Sequence, residues 1–97
     1  MGILDKAVEK YGERQLDQCQ EELAELIVAI SKYKRAVAKG NGSSEIKAIT
    51  DVIEEIADVK IMIKQVMMLL DINETEVNNI ETSKLNRLEK RMSKEGN

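Results

Sequence analysis

Two long apolar repeats, separated by a single break, constrain the fold of this chain more than any other feature. Both repeats advance in alternating steps of three and four residues, which is the spacing of a helix that packs one face into a bundle. The repeats are Leu16, Cys19, Leu23, Leu26, Ile30, Tyr33 and Val37, followed by Ile49, Val52, Ile56, Val59, Ile63, Val66 and Leu70. The break at residues 40–44 is rich in turn-forming residues. This pattern predicts two long antiparallel helices joined as a hairpin.

Shorter segments flank the hairpin, and glycine, serine and asparagine mark where helices begin and end. Helices are expected over residues 3–11, 13–39, 45–70 and 73–94. Either Ser43 or Ser44 can cap the third helix, and Asn73 can cap the fourth. Proline is absent, and most residues are good helix formers. The expected fold is all-α: an antiparallel helical bundle with two long helices, a short N-terminal helix and a C-terminal helix, in one domain spanning residues 1–97.

The third helix also carries apolar residues outside its repeat, among them Ile46, Ile53 and Met67. A helix that is apolar on several faces is normally buried on several sides. A single domain of this size buries only about two thirds of the surface that its unfolded chain exposes. We therefore expect oligomerisation to complete the bundle.

Histidine is absent and Cys19 is the single cysteine, which narrows the chemistry open to the chain. The lack of histidine excludes Ser-His triads and other histidine-based acid–base catalysis, and it disfavours zinc. A net charge of −3 gives no reason to expect a nucleic-acid polymer as a partner. No uncharged run is long enough for a membrane span, and the first residues do not resemble a signal peptide. We expect a cytoplasmic protein, without a membrane partner, whose chemistry depends on carboxylates, lysines, arginines and a hard metal ion.

Two acidic clusters lie in the middle of the two apolar repeats. They are Glu21-Glu22-x-x-Glu25 and Glu54-Glu55-x-x-Asp58. Counting residues around each helix places the last two acids of both clusters on the same side of an antiparallel hairpin. The helix rise puts these two pairs within about 6 Å of each other in height. The four acids that can converge are Glu22, Glu25, Glu55 and Asp58, whereas Glu21 and Glu54 are expected to be more solvated.

Four carboxylates that converge without a neighbouring cation repel one another, and Mg²⁺ or Mn²⁺ would relieve that repulsion. Magnesium commonly keeps positions for water and substrate phosphates, which indicates phosphate chemistry. Other polar residues share the same face of the second helix. Gln15 and Gln18 lie toward one end, where they can bind a base edge, and Lys32 lies toward the break, where it can bind a phosphate.

The sequence Glu-Glu-Leu-Ala-Glu-Leu at 21–26, followed by Glu-Ile-Ala-Asp-Val at 55–59, resembles a known signature. It is similar to the E-E-x-x-E … E-x-x-D motifs of the MazG-like all-α nucleoside triphosphate pyrophosphohydrolases. The resemblance covers most of the chain. The basic segment 84–91 resembles the end of many compact, phage-type members of that family.

The resemblance implies an activity and a role for each matching residue. It implies Mg²⁺ ligands at Glu22, Glu25, Glu55 and Asp58, and the hydrolysis of a (deoxy)nucleoside triphosphate to the monophosphate and pyrophosphate. Glu21 would orient a water molecule, and either Glu21 or Glu25 would accept its proton. The phosphate-side candidates on the last helix are Lys84, Arg87 and Arg91. Members of the family form dimers or tetramers, so a homodimer or homotetramer is expected.

Two other functions are compatible with the same residues. The chain can be a non-enzymatic helical interaction module whose acidic side is a solvated face or binds a basic partner. It can also be a degenerate family member that binds nucleotide without turnover. Tyr11 and Tyr33 are the only aromatic residues, so the sequence leaves open which base and which sugar the site would prefer.

Overall fold

The computed structural model describes residues 2–96, so Met1 and Asn97 of the predicted 1–97 domain lie outside the described residues. Residues 2–96 form four α-helices and no β-strand, which confirms the predicted all-α class. The helices are α1 (Ile3–Tyr11), α2 (Arg14–Lys39), α3 (Gly42–Leu69) and α4 (Glu74–Glu95). The two long helices are those that carry the apolar repeats.

The turn between α2 and α3 is tighter than the sequence suggested. Gly40 ends α2 in the left-handed conformation, with φ of 70°, which glycine adopts without steric cost. The side chain of Asn41 accepts hydrogen bonds from the backbone N–H groups of Ser43 (3.1 Å) and Ser44 (3.3 Å). The prediction that a serine caps α3 is therefore wrong, because Asn41 already satisfies these donors and lets the helix begin at Gly42.

The core of the chain is the interface between α2 and α3, which pack along each other as a hairpin, while α1 covers part of both. The buried residues are Cys19, Ala29 and Ala36 on α2 and Ala48, Val59, Met62 and Gln65 on α3. Cys19 and Val59 were predicted to lie in this interface, and their burial confirms it. Alanines supply much of the rest of the interface, which brings the two helix backbones close together.

The interface is rotated from the face that the apolar repeats predicted. Ile30, Val37 and Ile56 were expected in the interface but are each about 45% exposed in the chain. The physical reason is size, because the small side chains of Ala29 and Ala36 let the helices approach more closely than isoleucine and valine would. As a consequence, a row of large apolar side chains lies on one side of the hairpin, and the acidic residues move toward the contact between the helices.

A pair of glutamines links the two long helices at the end of the hairpin away from the turn. Gln65 is only 2% exposed, and its Oε1 accepts a hydrogen bond from Nε2 of Gln15 at 2.8 Å. The amide nitrogen of Gln65 donates to the carbonyl of Ile61 (3.4 Å) and contacts the sulfur of Met62 (3.5 Å). The buried amide is thus satisfied within the fold, as buried polar groups need to be.

The chain leaves much of its surface uncovered. Its accessible surface is 7779 Å², against about 5,600 Å² for a compact protein of the same mass. Its radius of gyration is 17.5 Å, against about 12.5 Å for a compact domain of this length. Every residue of α4 is exposed, including its apolar stripe. Over the range that the structure covers, none of the helices has both the length and the apolar character to cross a membrane.

Candidate metal centre

Three of the four predicted ligands come together between α2 and α3. One carboxylate oxygen from each of Glu22, Glu25 and Glu55 lies within 4.8 Å of the other two. Glu22 and Glu25 are one turn apart on α2, and α3 supplies Glu55 across the interface. Ligands on opposite sides of a Mg²⁺ ion are about 4.2 Å apart, given metal–oxygen distances of 2.0–2.1 Å. Small side-chain movements would therefore bring all three oxygens into the coordination sphere of one ion.

The burial of these carboxylates differs from that of ordinary surface acids. Glu22 and Glu55 are half-buried, and the Oε2 atom of each is enclosed without any hydrogen-bond donor within reach. The other oxygen of Glu22, Oε1, accepts a hydrogen bond of 2.9 Å from Nε2 of Gln18. Enclosed oxygens without donors are costly, and a bound cation would satisfy them.

The electrostatics of Glu55 agree with this geometry. Burial is the largest cause that raises the pKa of Glu55 above its ordinary value, followed by the negative charges of Glu25, Glu22 and Asp58. The proximity of the Glu22 carboxylate, to which a protonated Glu55 could donate, raises the pKa of Glu55 further. In the absence of a cation, the site therefore favours a proton on Glu55, and a divalent cation would compete with that proton.

This raised pKa predicts how the stability of the metal-free protein depends on pH. Between the ordinary glutamate pKa and the raised pKa of Glu55, the folded state holds a proton that the unfolded state has lost. The contribution of Glu55 to the free energy of unfolding is therefore expected to decrease as the pH rises through that window. Urea unfolding at a series of pH values, with a chelator present, measures it. The Glu55→Gln variant should lack this component, and an unchanged pH profile in the variant would contradict the expectation.

The remaining predicted acids lie around the three-carboxylate group. Asp58 is exposed and is not among the three, although it lies one turn beyond Glu55 and its charge acts on that residue. Glu21 is exposed on α2, as expected. Glu54 was predicted to lie in an outer, solvated position, and it is exposed, but it also lines the cleft beside the group. The place of Glu54 in the lining of the cleft was not predicted, because the apolar repeats were expected to face each other, whereas the actual interface is rotated.

A cleft of about 270 Å³ opens directly beside the carboxylates, and we call it the acidic cleft. Its lining residues are Glu25, Val28, Ala29, Lys32, Asp51, Glu54 and Glu55. The buried Ala29 is too small to fill the cleft, and the exposed Val28 adds an apolar surface. Lys32 is the one cation in this lining. The cleft therefore offers a place for an anionic ligand next to the group of acids that can hold a metal ion.

The other predicted substrate-binding residues are divided between this face and α4. Gln18 is held against Glu22, whereas Gln15 is engaged with the buried Gln65. The cations of α4, Lys84, Arg87 and Arg91, are exposed and line neither the acidic cleft nor the cleft that follows it along the hairpin. Nε of Arg91 lies 3.9 Å from Oε1 of Glu95 on the same helix. Within one chain, the structure thus brings Gln18 and Lys32 to the acids but does not bring the α4 cations there.

Comparisons of the chain with protein-family models, with curated proteins and with solved structures give no match. The functional interpretation therefore depends on the geometry and charge of the candidate metal centre itself. These comprise three carboxylates from two helices, two enclosed oxygens without donors, and an adjoining cleft with a lysine.

Proposed function

We propose that this protein is a Mg²⁺-dependent nucleoside triphosphate pyrophosphohydrolase, in which Mn²⁺ can substitute for Mg²⁺. It would convert a (deoxy)nucleoside triphosphate into the monophosphate and pyrophosphate. The observation that carries the proposal is the group of Glu22, Glu25 and Glu55, in which a cation would satisfy the enclosed, donor-free oxygens of Glu22 and Glu55. Hard oxygen ligands of this kind suit Mg²⁺, which usually retains positions for water and phosphate.

The chain's own residues account for the steps of such a reaction. Glu22, Glu25 and Glu55 would hold the metal, and Asp58, one turn beyond Glu55 on α3, would have to move toward the group to join them as the fourth ligand. A bound Mg²⁺ would offset phosphate charge and lower the pKa of a coordinated water. A water molecule would attack the α-phosphorus as the bond between that phosphorus and the oxygen bridging to the β-phosphorus breaks. Pyrophosphate would leave, and Glu21 or Glu25 would accept a proton from the attacking water.

Polar residues at the two ends of the site would orient the substrate. Lys32 lines the acidic cleft on the side toward the α2–α3 turn and would bind a phosphate. Gln18 fixes the carboxylate of Glu22 by a hydrogen bond, which stabilises a metal ligand in its orientation. The cations of α4 would reach a phosphate only from another copy of the chain, because they lie away from the clefts of their own chain.

The resemblance of residues 21–26 and 55–59 to the MazG-like signature supports the same proposal. The enclosed, donor-free oxygens of Glu22 and Glu55 favour it over an interaction module with a solvated acidic face, because a solvated carboxylate has water at both oxygens. A degenerate member that binds nucleotide without turnover would share the same geometry. We place the activity in the cytoplasm, with a nucleotide as its ligand and no nucleic-acid polymer as a partner.

We also propose that the protein is a homodimer or homotetramer. Helical spacing puts one row of exposed apolar residues on the side of the hairpin opposite Glu25 and Lys32. The row comprises Leu23, Ile30 and Val37 on α2 and Ile49, Ile56 and Ile63 on α3, and we call it the apolar side. Contiguous rows of exposed apolar residues often mark a surface at which proteins associate. Association through this side would cover it and leave the acidic cleft open.

The proposed reaction can be tested by following both products and the oxygen that enters them. The protein is incubated with a panel of canonical and deoxynucleoside triphosphates and Mg²⁺ in ¹⁸O-labelled water. We expect monophosphate and pyrophosphate in equal amounts, with the label in the monophosphate because water attacks the α-phosphorus. Release of orthophosphate, or label in pyrophosphate, would contradict this reaction. Tight binding of Mg²⁺ and nucleotide without any product would identify the degenerate alternative.

A further inference from the structure

A second cleft continues from the acidic cleft toward the α2–α3 turn, and its charge is opposite. It has a volume of about 300 Å³ and is lined by Lys32, Arg35, Ala36, Lys39, Ser44, Lys47, Ala48 and Asp51. We call it the basic cleft. It shares Lys32 and Asp51 with the acidic cleft, so the two clefts adjoin along one face of the hairpin. Ala36 and Ala48 are the buried residues of its lining, and their small side chains do not fill the cleft.

Most of the cations that line the basic cleft have no acidic partner among its other lining residues. Four of its lining residues are cations, and Asp51 is the single acid. Oδ2 of Asp51 lies 3.3 Å from Nζ of Lys47 on the same helix, and both side chains are exposed. In the part of the chain that the structure describes, Lys32, Arg35 and Lys39 enter no ion pair. Like charges gathered in one concave surface repel each other, and an anionic ligand relieves that repulsion.

The helix dipole does not explain this arrangement as a whole. Arg35 and Lys39 lie in the last turns of α2, where cations complement the negative end of the helix. Lys47, however, lies near the N-terminal end of α3, where the dipole gives a cation no benefit. Lys32 is two turns from the end of α2, beyond the reach of the dipole. What the four cations share is their place around one cleft, with Ser44 as a further hydrogen-bond donor.

We propose that the basic cleft binds the terminal phosphates of a polyphosphate substrate, and this inference rests on the proposed function. The substrate would lie along the hairpin with its phosphate end toward the turn and its nucleoside end toward Gln18. The helix rise places Lys32 about 10 Å and Arg35 about 15 Å from Glu25 along α2, and both have long side chains that can extend back toward the acids. The cleft would then hold the part of the substrate that leaves as pyrophosphate.

This arrangement predicts which ligands the protein prefers. A triphosphate reaches both the metal centre and the basic cleft, whereas a monophosphate reaches only the metal centre. The protein should therefore bind a nucleoside triphosphate much more tightly than the corresponding monophosphate. Inorganic tripolyphosphate, which lacks a nucleoside, should still bind and should compete with the substrate.

The test compares two triple variants that remove the same positive charge. The first carries Arg35→Ala, Lys39→Ala and Lys47→Ala in the basic cleft. The second carries Lys34→Ala, Lys60→Ala and Lys64→Ala, which are exposed and line neither the acidic nor the basic cleft. Calorimetric titration with tripolyphosphate should show at least about a tenfold higher Kd for the first variant, because it loses charge-assisted contacts. The second variant should bind like the wild type.

Steady-state kinetics with the preferred triphosphate provide the second measurement. The basic-cleft variant should show a raised KM with little change in kcat, because the cleft holds the phosphates alike in the ground state and in the transition state. Circular dichroism melts establish that both variants are folded. If both triple variants bind tripolyphosphate with the same affinity, the basic cleft is not the phosphate site. If the wild type binds tripolyphosphate through the cleft but hydrolyses no nucleotide, the cleft stands as an anion site and the proposed reaction is wrong.

Discussion

Replacement of Glu55 by glutamine is expected to reduce Mg²⁺-dependent release of pyrophosphate by at least about 100-fold. The amide keeps the shape of the side chain but removes the charge of a proposed metal ligand, and metal-assisted charge stabilisation contributes several kcal/mol to reactions of the proposed kind. The same substitution should raise the melting temperature of the metal-free protein at neutral pH. Burial and the neighbouring acids raise the pKa of Glu55, so its charge is unfavourable in the folded state without a cation.

These two opposite effects distinguish a metal ligand from a residue that only supports the fold. A residue needed for folding would lose activity and stability together. Pyrophosphate release and thermal unfolding, each with and without saturating Mg²⁺, measure both effects. Mg²⁺ should raise the melting temperature of the wild type, because it binds the folded state, and should leave that of the variant almost unchanged. A variant that Mg²⁺ still stabilises as much as the wild type would show that Glu55 does not hold the ion.

Glu45→Gln provides a matched control for this experiment. Glu45 is on α3, as is Glu55, and it is half-buried, but it lies near the start of the helix and outside the three-carboxylate group. The substitution changes the charge by the same amount in the same helix. Activity and the response to Mg²⁺ should remain close to those of the wild type. An equal loss of activity in both variants would attribute the effect to net charge and not to the metal centre.

The helices and the convergence of the acids could be predicted because both depend on local periodicity. The three–four spacing of apolar residues identified α2 and α3, and Gly40 marked the break between them. The positions of Glu22 and Glu55 on the same side of an antiparallel hairpin followed from counting residues around each helix. An error of a fraction of a turn changes such a result little, which is why three of the four predicted acids still come together in the structure, without Asp58.

The rotation of the α2–α3 interface could not be predicted, because it depends on how closely the two backbones approach. A repeat read from the sequence gives most weight to large residues such as Ile30 and Ile56. The structure places Ala29 in the interface and leaves both isoleucines exposed. A helix can have two apolar sides, one that packs against the rest of its own chain and one that stays exposed. Periodicity alone does not tell which of the two sides is packed. The enclosure of Glu22 and Glu55 follows from this rotation.

The basic cleft was also beyond reach from the sequence, since it joins residues from both sides of the turn. Arg35 and Lys39 have an ordinary explanation as cations near the end of a helix. Only the tight turn at Gly40 and Asn41 brings Lys47 opposite them. The length of that turn depends on which residue caps α3. The sequence predicted Ser43 or Ser44, whereas Asn41 is the cap in the structure.

Substitution of Ile56 by glutamate is expected to dissociate the proposed oligomer. Ile56 is the middle residue of the α3 part of the apolar side, with Ile49 and Ile63 seven residues away on either side. Burial of an isoleucine contributes about 1.5–3 kcal/mol, and a two-fold interface contains each residue twice. The dissociation constant of a dimer should therefore increase by about 100-fold or more, and the added carboxylate, unpaired in an apolar contact, increases the effect. Sedimentation velocity across a range of protein concentrations measures it.

Thr50→Glu is the matched control, because it introduces the same side chain into the same helix on a face away from the apolar side. It should leave the sedimentation coefficient unchanged. An Ile56→Glu protein that keeps the wild-type mass would contradict assembly through the apolar side. The two sides of the hairpin make a further distinction possible, because Glu25 and Lys32 of the acidic cleft lie opposite the apolar side. If the dissociated variant still binds Mg²⁺ but hydrolyses no triphosphate, then the proposed activity depends on the assembly as well as on the metal centre.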